Sequence, residues 1–508
     1  MARRGTALAA IALAAFALSG CPVAIPEGRF GCSRGEPCPP EMTCGPAGRC
    51  VRGTTVDAGP RDASTEDAGM PVDAAIDATV DAGGPCSLAA ASLQLETISG
   101  TGAEDAFGVV VAADRDYRIP VSFSGTFGTI AGHTLTAVGP AVDALLLRRD
   151  PDGTLELLRW LSGANDNTAA ALSADGRWLT GSTSDAMEIA TTTSLDVTAS
   201  SAGYLADVEA GVLYTLDSSD STATITPRAI AVTGDQVCVG GSFRGGFDAV
   251  GATGSEASDA FITCRAVATG ASGASRVISG TGDDVIRALV SDGASGLYVG
   301  GTFTGTITIG GLEHVAASAD GDAFVAHLDA GLSELGFFSF GTAGNGVSTI
   351  AAIAINDGAV YAAGRIAPGS VAGLVVPPRT DPDAILLQLD RALSTTGWAT
   401  TGGDDGYDEL FALTLDPCGD PVVAGGFGNT SGTTLDGLVP EIRRYAASDG
   451  HLRERIAPTT GTGAFRGIVS AEQTIVAVGS FSSPLAFPGA STVTPQGNSD
   501  VMIVVLRY

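Results

Sequence analysis

The chain has 508 residues, 44% of them hydrophobic and 16% charged, with 70 glycines and 24 prolines. Acidic side chains number 56 against 27 basic ones, a formal charge of −29, and no lysine occurs, so every basic side chain is an arginine. No basic footprint is available to neutralise phosphates, which argues against a nucleic-acid binder, and the turn-rich composition, short of Glu, Lys and Gln, argues against long helical bundles.

Residues 1–20 carry Arg3 and Arg4 and then the apolar run ALAAIALAAFALSG. The run is too short for a spanning helix and has the layout of a secretory signal. The tetrad Leu18-Ser19-Gly20-Cys21 resembles the lipobox of bacterial lipoproteins. That resemblance implies acylation of Cys21 and attachment to the bacterial membrane through the lipid, with the body of the protein in the cell envelope outside the cytoplasm. Pro22 follows the cysteine with no acidic residue beside it, which favours the outer membrane, periplasmic or surface-facing.

In residues 21–50, Cys32, Cys38, Cys44 and Cys50 recur every six residues among Gly and Pro. In an exported chain this pattern reads as two disulfides with three possible pairings, and it lacks the paired CxxC spacing of zinc sites. Residues 51–85 are an acidic linker: Asp57, Asp62, Asp67, Asp73, Asp77 and Asp81 are scattered among Ala, Gly, Thr and Pro. The segment has too little apolar volume to offset ordering, and its like charges favour extension.

Residues 86–508 form a repeat. An apolar run ending in Gly-small-Phe appears at Gly125, Gly241, Gly301 and Gly479, with variants at Gly181, Gly364 and Gly425, so that seven copies lie 54 to 63 residues apart. A second landmark, Asp-Ala opening a short apolar run, follows at Asp143, Asp259, Asp322 and Asp383, with degenerate forms at Gly203, Pro440 and Asp500. Several short strands per unit at this period predict an all-β, closed seven-bladed propeller with four-stranded antiparallel blades. In the fourth unit the strands fall at 286–290, 296–302, 323–328 and 335–340, innermost to outermost. The last unit ends after its third strand, and the segment from Leu93 matches the fourth strand of the third unit, so the N-terminal strand is expected to complete the last blade. Cys238 and Cys264 fall on neighbouring strands of one blade and are expected to pair; Cys86 and Cys418 then pair between the closing strand and blade six.

The phrases Ser279-Gly280-Thr281-Gly282, Val299-Gly300-Gly301-Thr302-Phe303 and Asp322-Ala323-Phe324-Val325 resemble the bacterial seven-bladed propeller repeats of the SBBP type. The resemblance implies a propeller in an extracellular protein and names no activity. The second unit departs from it most, at Gly181-Ser182-Thr183 and Gly203-Tyr204.

No hydrolase elbow, zinc-protease helix or phosphate loop occurs in its required context, and His133, His314, His327 and His451 fall in different repeats. Acids recur in the links leading to each innermost strand, which assigns them first to turn chemistry. Those links share one face of the disc, so Asp105, Asp166, Asp284, Asp405 and Asp408 are candidates for an acidic binding rim for calcium, an envelope protein or a polysaccharide. The expected function is therefore an envelope-anchored, extracytoplasmic binding or interaction module. The alternatives are a propeller-based polysaccharide lyase or hydrolase, and a structural surface protein without a discrete ligand.

Overall fold

A computed structural model describes residues 42–44, 50–52, 86–88 and 91–508, apart from segments 131–132, 139–140, 190–192, 253–256, 342–345, 372–373, 377–380, 404–405 and 429–436. The chain falls into two compact units, residues 1–77 and 78–508. In the first, Met42–Cys44 pairs antiparallel with Cys50–Arg52, which sets Cys44 opposite Cys50 in the backbone register. Cys21, Cys32 and Cys38 lie outside the described residues, as do the signal segment, most of the linker and the side chains of Cys44 and Cys50.

The second unit is a seven-bladed β-propeller. Its repeat is clearest in blade four, where Val285–Ser291, Leu297–Phe303, Asp322–Leu328 and Glu334–Phe340 pair in that order, within a residue or two of the sequence expectation. The second and third strands of this blade are buried throughout apart from His327, whereas the outermost strand is largely half-exposed. Continuous apolar runs at the middle strands and alternation at the margin follow from that layering. Ser92–Ile98 lies along Asp500–Arg507 from Ser92 opposite Arg507 to Ile98 opposite Val501, so the N-terminal strand supplies the fourth strand of blade seven.

The expected closed ring of uniform four-stranded blades is corrected on two points. Among the described residues no sheet is closed by hydrogen bonds: each blade is a separate open sheet. The ladders run outward along the blades, and neighbouring blades meet mainly through side chains, so no continuous ladder exists to close. Two sheets also exceed four strands. The hairpin Met187–Ile189/Thr193–Leu195 of blade two adds to the outer strand Leu155–Gly163 of blade one, and the hairpin Thr306–Ile309/Leu312–Val315 of blade four adds to Ser272–Gly280 of blade three. Each hairpin covers its neighbour's edge strand.

The landmark phenylalanines are interblade core. Phe303 is fully buried with Ile262 and Ile278 of blade three and with Phe324 of its own blade, in an edge-on ring contact at 6.0 Å. Burial of one such ring contributes about 1.5–3 kcal/mol. In blade two Tyr204 serves as core: it is fully buried and its hydroxyl donates to the Thr168 carbonyl at 2.9 Å.

Both expected propeller disulfides are present. Cys238 and Cys264 sit directly opposite each other on adjacent strands, and Cys86 joins Cys418 across 332 residues of chain.

Candidate functional site

The repeat glycine determines what faces the propeller axis. In blade four a Cβ built on Gly301 would meet the Val285 carbonyl oxygen at 1.9 Å; on Gly241 it would meet Thr226 O at 2.1 Å, and on Gly479 Ala464 O at 2.0 Å. Only glycine admits so close an approach, and the inner strand bulges opposite it. The pairing jumps from Ile286/Gly301 to Ala288/Gly300 and leaves Arg287 as the extra residue. The same shift leaves over Ala170, Arg228, Ala351, Phe411 and Arg466 in blades two, three, five, six and seven. In blade one the inner strand is interrupted between Glu104–Ala106 and Val110–Val111, and Phe107 stands in the gap. A β-bulge re-aims a side chain, and here seven equivalent positions are turned toward the axis.

These seven residues line one cavity of about 300 Å³, with Ala171, Ile230, Leu289 and Ile353 among the other walls. A second hollow of about 200 Å³ shares Phe107 and Phe411 and continues into apolar walls that include Val110, Leu172, Leu413 and Ile468. The axial channel therefore has a cationic tier and an apolar tier. Among the described residues no carboxylate, histidine, hydroxyl or thiol side chain lines either hollow.

The electrostatics of the cationic tier are unfavourable as it stands. Arg228 is exposed to the open hollow, but the protein around it, and then repulsion from Arg287, pull it down to about 10. Burial also lowers Arg466, against the opposing fields of Glu409 and Asp105, and Arg287 lowers it further. The Arg466 guanidinium lies 4.0 Å from the Phe411 ring centroid. Arg287 Nε is buried without a hydrogen-bond partner. Nearby Arg365 is engaged with Glu409 at 2.9 Å and with the Tyr407 hydroxyl.

The acids singled out in the sequence take different places. Asp166 is exposed and accepts from the Val142 amide at 3.0 Å. Asp105 is half-buried and acts on Arg466. Asp284 and Asp408 are buried; the first accepts from the Thr304 amide at 3.3 Å and the second from the Gly428 amide at 3.1 Å. Asp405 lies outside the described residues. Burial, then the charges of Asp259 and Asp283, push Asp284 up to about 8. Glu104, the equivalent residue of blade one, is raised to about 8 by burial and by Asp500. Each pairs an inner-strand acid with the aspartate that opens the third strand of the preceding blade. In blade two that position holds Asn167, whose side chain bonds to Asp143.

Among the described residues no group of histidines converges on a metal-type site. His314 bonds to Glu334 at 2.8 Å and stacks on Phe337, while His327 bonds to Asp292 at 3.3 Å and stacks on Tyr298. Ligand-type atoms of Cys86, Asp416 and Cys418 lie within 4.8 Å of one another, a grouping that could hold a metal ion. Its two sulfurs are joined in the disulfide, which removes the thiolates, and nothing there selects calcium.

Sequence reading placed Arg287 on an innermost strand without assigning it to the channel, and it passed over Arg228 and Arg466. The signal was present: in blades two to seven each left-over residue precedes an Ala or Gly and lies 11 to 14 residues before its landmark glycine.

No protein-family model matches the chain, and no curated protein matches it. Among solved structures it is similar to the WD40 β-propeller domain of Doa1, at 10% identity and a TM-score of 0.41, covering 81% of this chain and 97% of that one. It is also similar to the Dos1 propeller, at 10% identity and a TM-score of 0.40 over 82% and 95% of the two chains. The β-propeller domain of the Trilobed protease from Pyrococcus furiosus is similar at 7% identity and a TM-score of 0.38, over 78% and 96%.

Proposed function

We propose that this protein is an exported binding module, acylated at Cys21, whose propeller stands beyond the acidic linker 51–85 and takes its ligand in the axial channel. The observation that carries the reading is the channel lining: three arginines, two phenylalanines and aliphatic residues, with no side chain among the described residues suited to act as nucleophile or general base. Such a surface binds and orients. A propeller fold is compatible with an interaction scaffold, and a concave site with a few convergent polar groups in apolar walls is the usual form of a small-molecule site.

The test uses the full chain carrying Cys21→Ser, incubated with the small-molecule fraction of envelope extracts, recovered, and analysed by mass spectrometry for what it retains. Ala351→Trp fills the channel from a wall position and serves as the plugged control. A compound retained by the open channel and lost from the plugged one is the expected result. Equal retention by both chains, or retention by neither, removes the reading. Anchoring is checked separately: label from an alkyne fatty acid should enter the native chain and be absent from the Cys21→Ser chain.

A further inference from the structure

Resting on the reading of the channel as a binding site, we propose that its ligand is a small polyanion carrying two or more carboxylate or phosphate groups, held by Arg228, Arg287 and Arg466 against Phe107 and Phe411. The argument begins with what these arginines lack. Elsewhere in the propeller, Arg149, Arg177, Arg443 and Arg444 each lie 2.5 to 2.7 Å from a carboxylate. Among the described residues none lies within ion-pair distance of the three channel arginines, although the chain carries 56 acids. The nearby carboxylate of Glu409 is engaged with Arg365 and Tyr407.

Three like charges gathered in one hollow repel one another, and the half-buried Arg287 and Arg466 have also lost part of their hydration, while Arg228 stays exposed. Such a set raises the free energy of the empty protein, and a multivalent anion relieves both penalties at once. The guanidinium fork suits the shared chemistry of the two anion classes, since carboxylates and phosphates both accept paired N–H donors. Arg466 is braced face-on over Phe411, which limits the orientations its fork can adopt. At about 300 Å³ the cationic tier is at the small end of ligand sites, sized for an organic anion and not for a folded partner. Placement by the bulges adds a further argument: the backbone device that turns the side chain inward recurs in blades two to seven, and in three of them it turns in a cation with no carboxylate partner among the described residues.

The experiment measures thermal unfolding and calorimetric binding of the full Cys21→Ser chain with citrate, inorganic pyrophosphate, acetate and glucose, all at matched ionic strength. Citrate or pyrophosphate should raise the melting temperature with saturation, and acetate should not; which of the two acts separates carboxylate from phosphate. Arg287→Gln and Arg466→Gln should each weaken that binding at least tenfold. In anion-free buffer neither variant should melt below the parent, because removing an unpartnered cation relieves repulsion. A melting temperature lowered by both substitutions marks the arginines as structural and overturns the proposal. It is equally overturned if neither polyanion exceeds acetate, or if the effect survives both substitutions. A shift produced by glucose and abolished by Ala351→Trp would leave the channel as a binding site while removing the anion.

Discussion

The Cβ position of Gly301 lies 1.9 Å from the carbonyl oxygen of Val285, and this contact ties the sequence repeat to the channel. The inner strand bulges opposite the glycine, and Arg287 is the residue left over. Gly301→Ala must therefore either push the inner strand away or lose the bulge. A loss of about 2–3 kcal/mol is expected from overpacking against backbone. Gly293→Ala makes the control: its φ is +88°, but a Cβ there meets nothing within 4 Å, so about 1 kcal/mol of backbone strain is all it should register. Urea unfolding of the two variants should rank them in that order. If Gly301→Ala also weakens polyanion binding more than Gly293→Ala does, the bulge is what aims Arg287.

Buried acids at the blade junctions predict an unusual pH dependence. Glu104 and Asp284 hold their protons up to about pH 8 in the folded state, against ordinary values of 4.5 and 3.8. Between roughly pH 4 and pH 8 the folded chain keeps protons that the unfolded chain has released. Stability therefore falls as pH rises across that window, by about 1.4 kcal/mol per pH unit for each group, and is flat outside it. Glu104→Gln with Asp284→Asn should flatten the slope and melt higher than the native chain at pH 8. Blade two already carries an amide at this position in Asn167, which accepts from the Thr183 hydroxyl at 2.8 Å. An unchanged slope in the double variant would rule out these two groups as its source.

How much of this was legible depended on whether a feature repeats. The landmark glycines and the Asp-Ala pairs recur in blade after blade because bulge and interblade packing impose the same steric demand each time, so strand positions and blade count follow from the period. Cys86 and Cys418 could be matched because few cysteines remained. The channel arginines were hidden for the opposite reason: Arg228, Arg287 and Arg466 stand at a position filled elsewhere by Ala or Phe, and only the register shift shows that these residues are equivalent. Asp284 and Asp408 read as solvated turn acids, because sequence cannot distinguish a link that meets solvent from one covered by the neighbouring blade. The added hairpins of blades two and four were missed because their pairing lies between repeats.

Arg444 should behave oppositely to the channel arginines. It lies 2.7 Å from both Asp416 and Asp420 and 3.5 Å from Glu454, largely buried among all three. Glu454 in turn accepts from Ser87 Oγ at 2.6 Å and the Leu88 amide at 2.8 Å, so one guanidinium organises the anchorage of the segment before the closing strand. Arg444→Gln leaves buried carboxylates without their counter-ion, and a loss of about 3–5 kcal/mol is expected. The decisive comparison is with Arg287→Gln under the same anion-free conditions. Equal effects of the two substitutions would mean that partnered and unpartnered arginines have the same role.

The two propeller disulfides offer a final test, because one spans most of the propeller and the other a single hairpin. Cys86–Cys418 spans 332 residues and Cys238–Cys264 spans 26. If a crosslink acts by restricting the unfolded chain, its contribution grows with the logarithm of the enclosed length, so the long loop should contribute about 2 kcal/mol more. The native contacts act in the same direction. Cys238 and Cys264 are held opposite each other by an eight-pair ladder whether or not the sulfurs are joined. Cys86 precedes an edge strand that is hydrogen-bonded along one side, to Asp500–Arg507, and is otherwise held by side-chain contacts such as the 2.6 Å ion pair from Glu96 to Arg149. Cys86→Ala with Cys418→Ala should therefore lower stability more than Cys238→Ala with Cys264→Ala. It should also speed amide exchange first in Ser92–Ile98 and then in Asp500–Arg507, whose edge that strand covers. Hydrogen-exchange mass spectrometry on the two double variants measures both effects. Protection at Ser92–Ile98 that survives loss of the long crosslink would show that the ladder alone holds the exchanged strand in place.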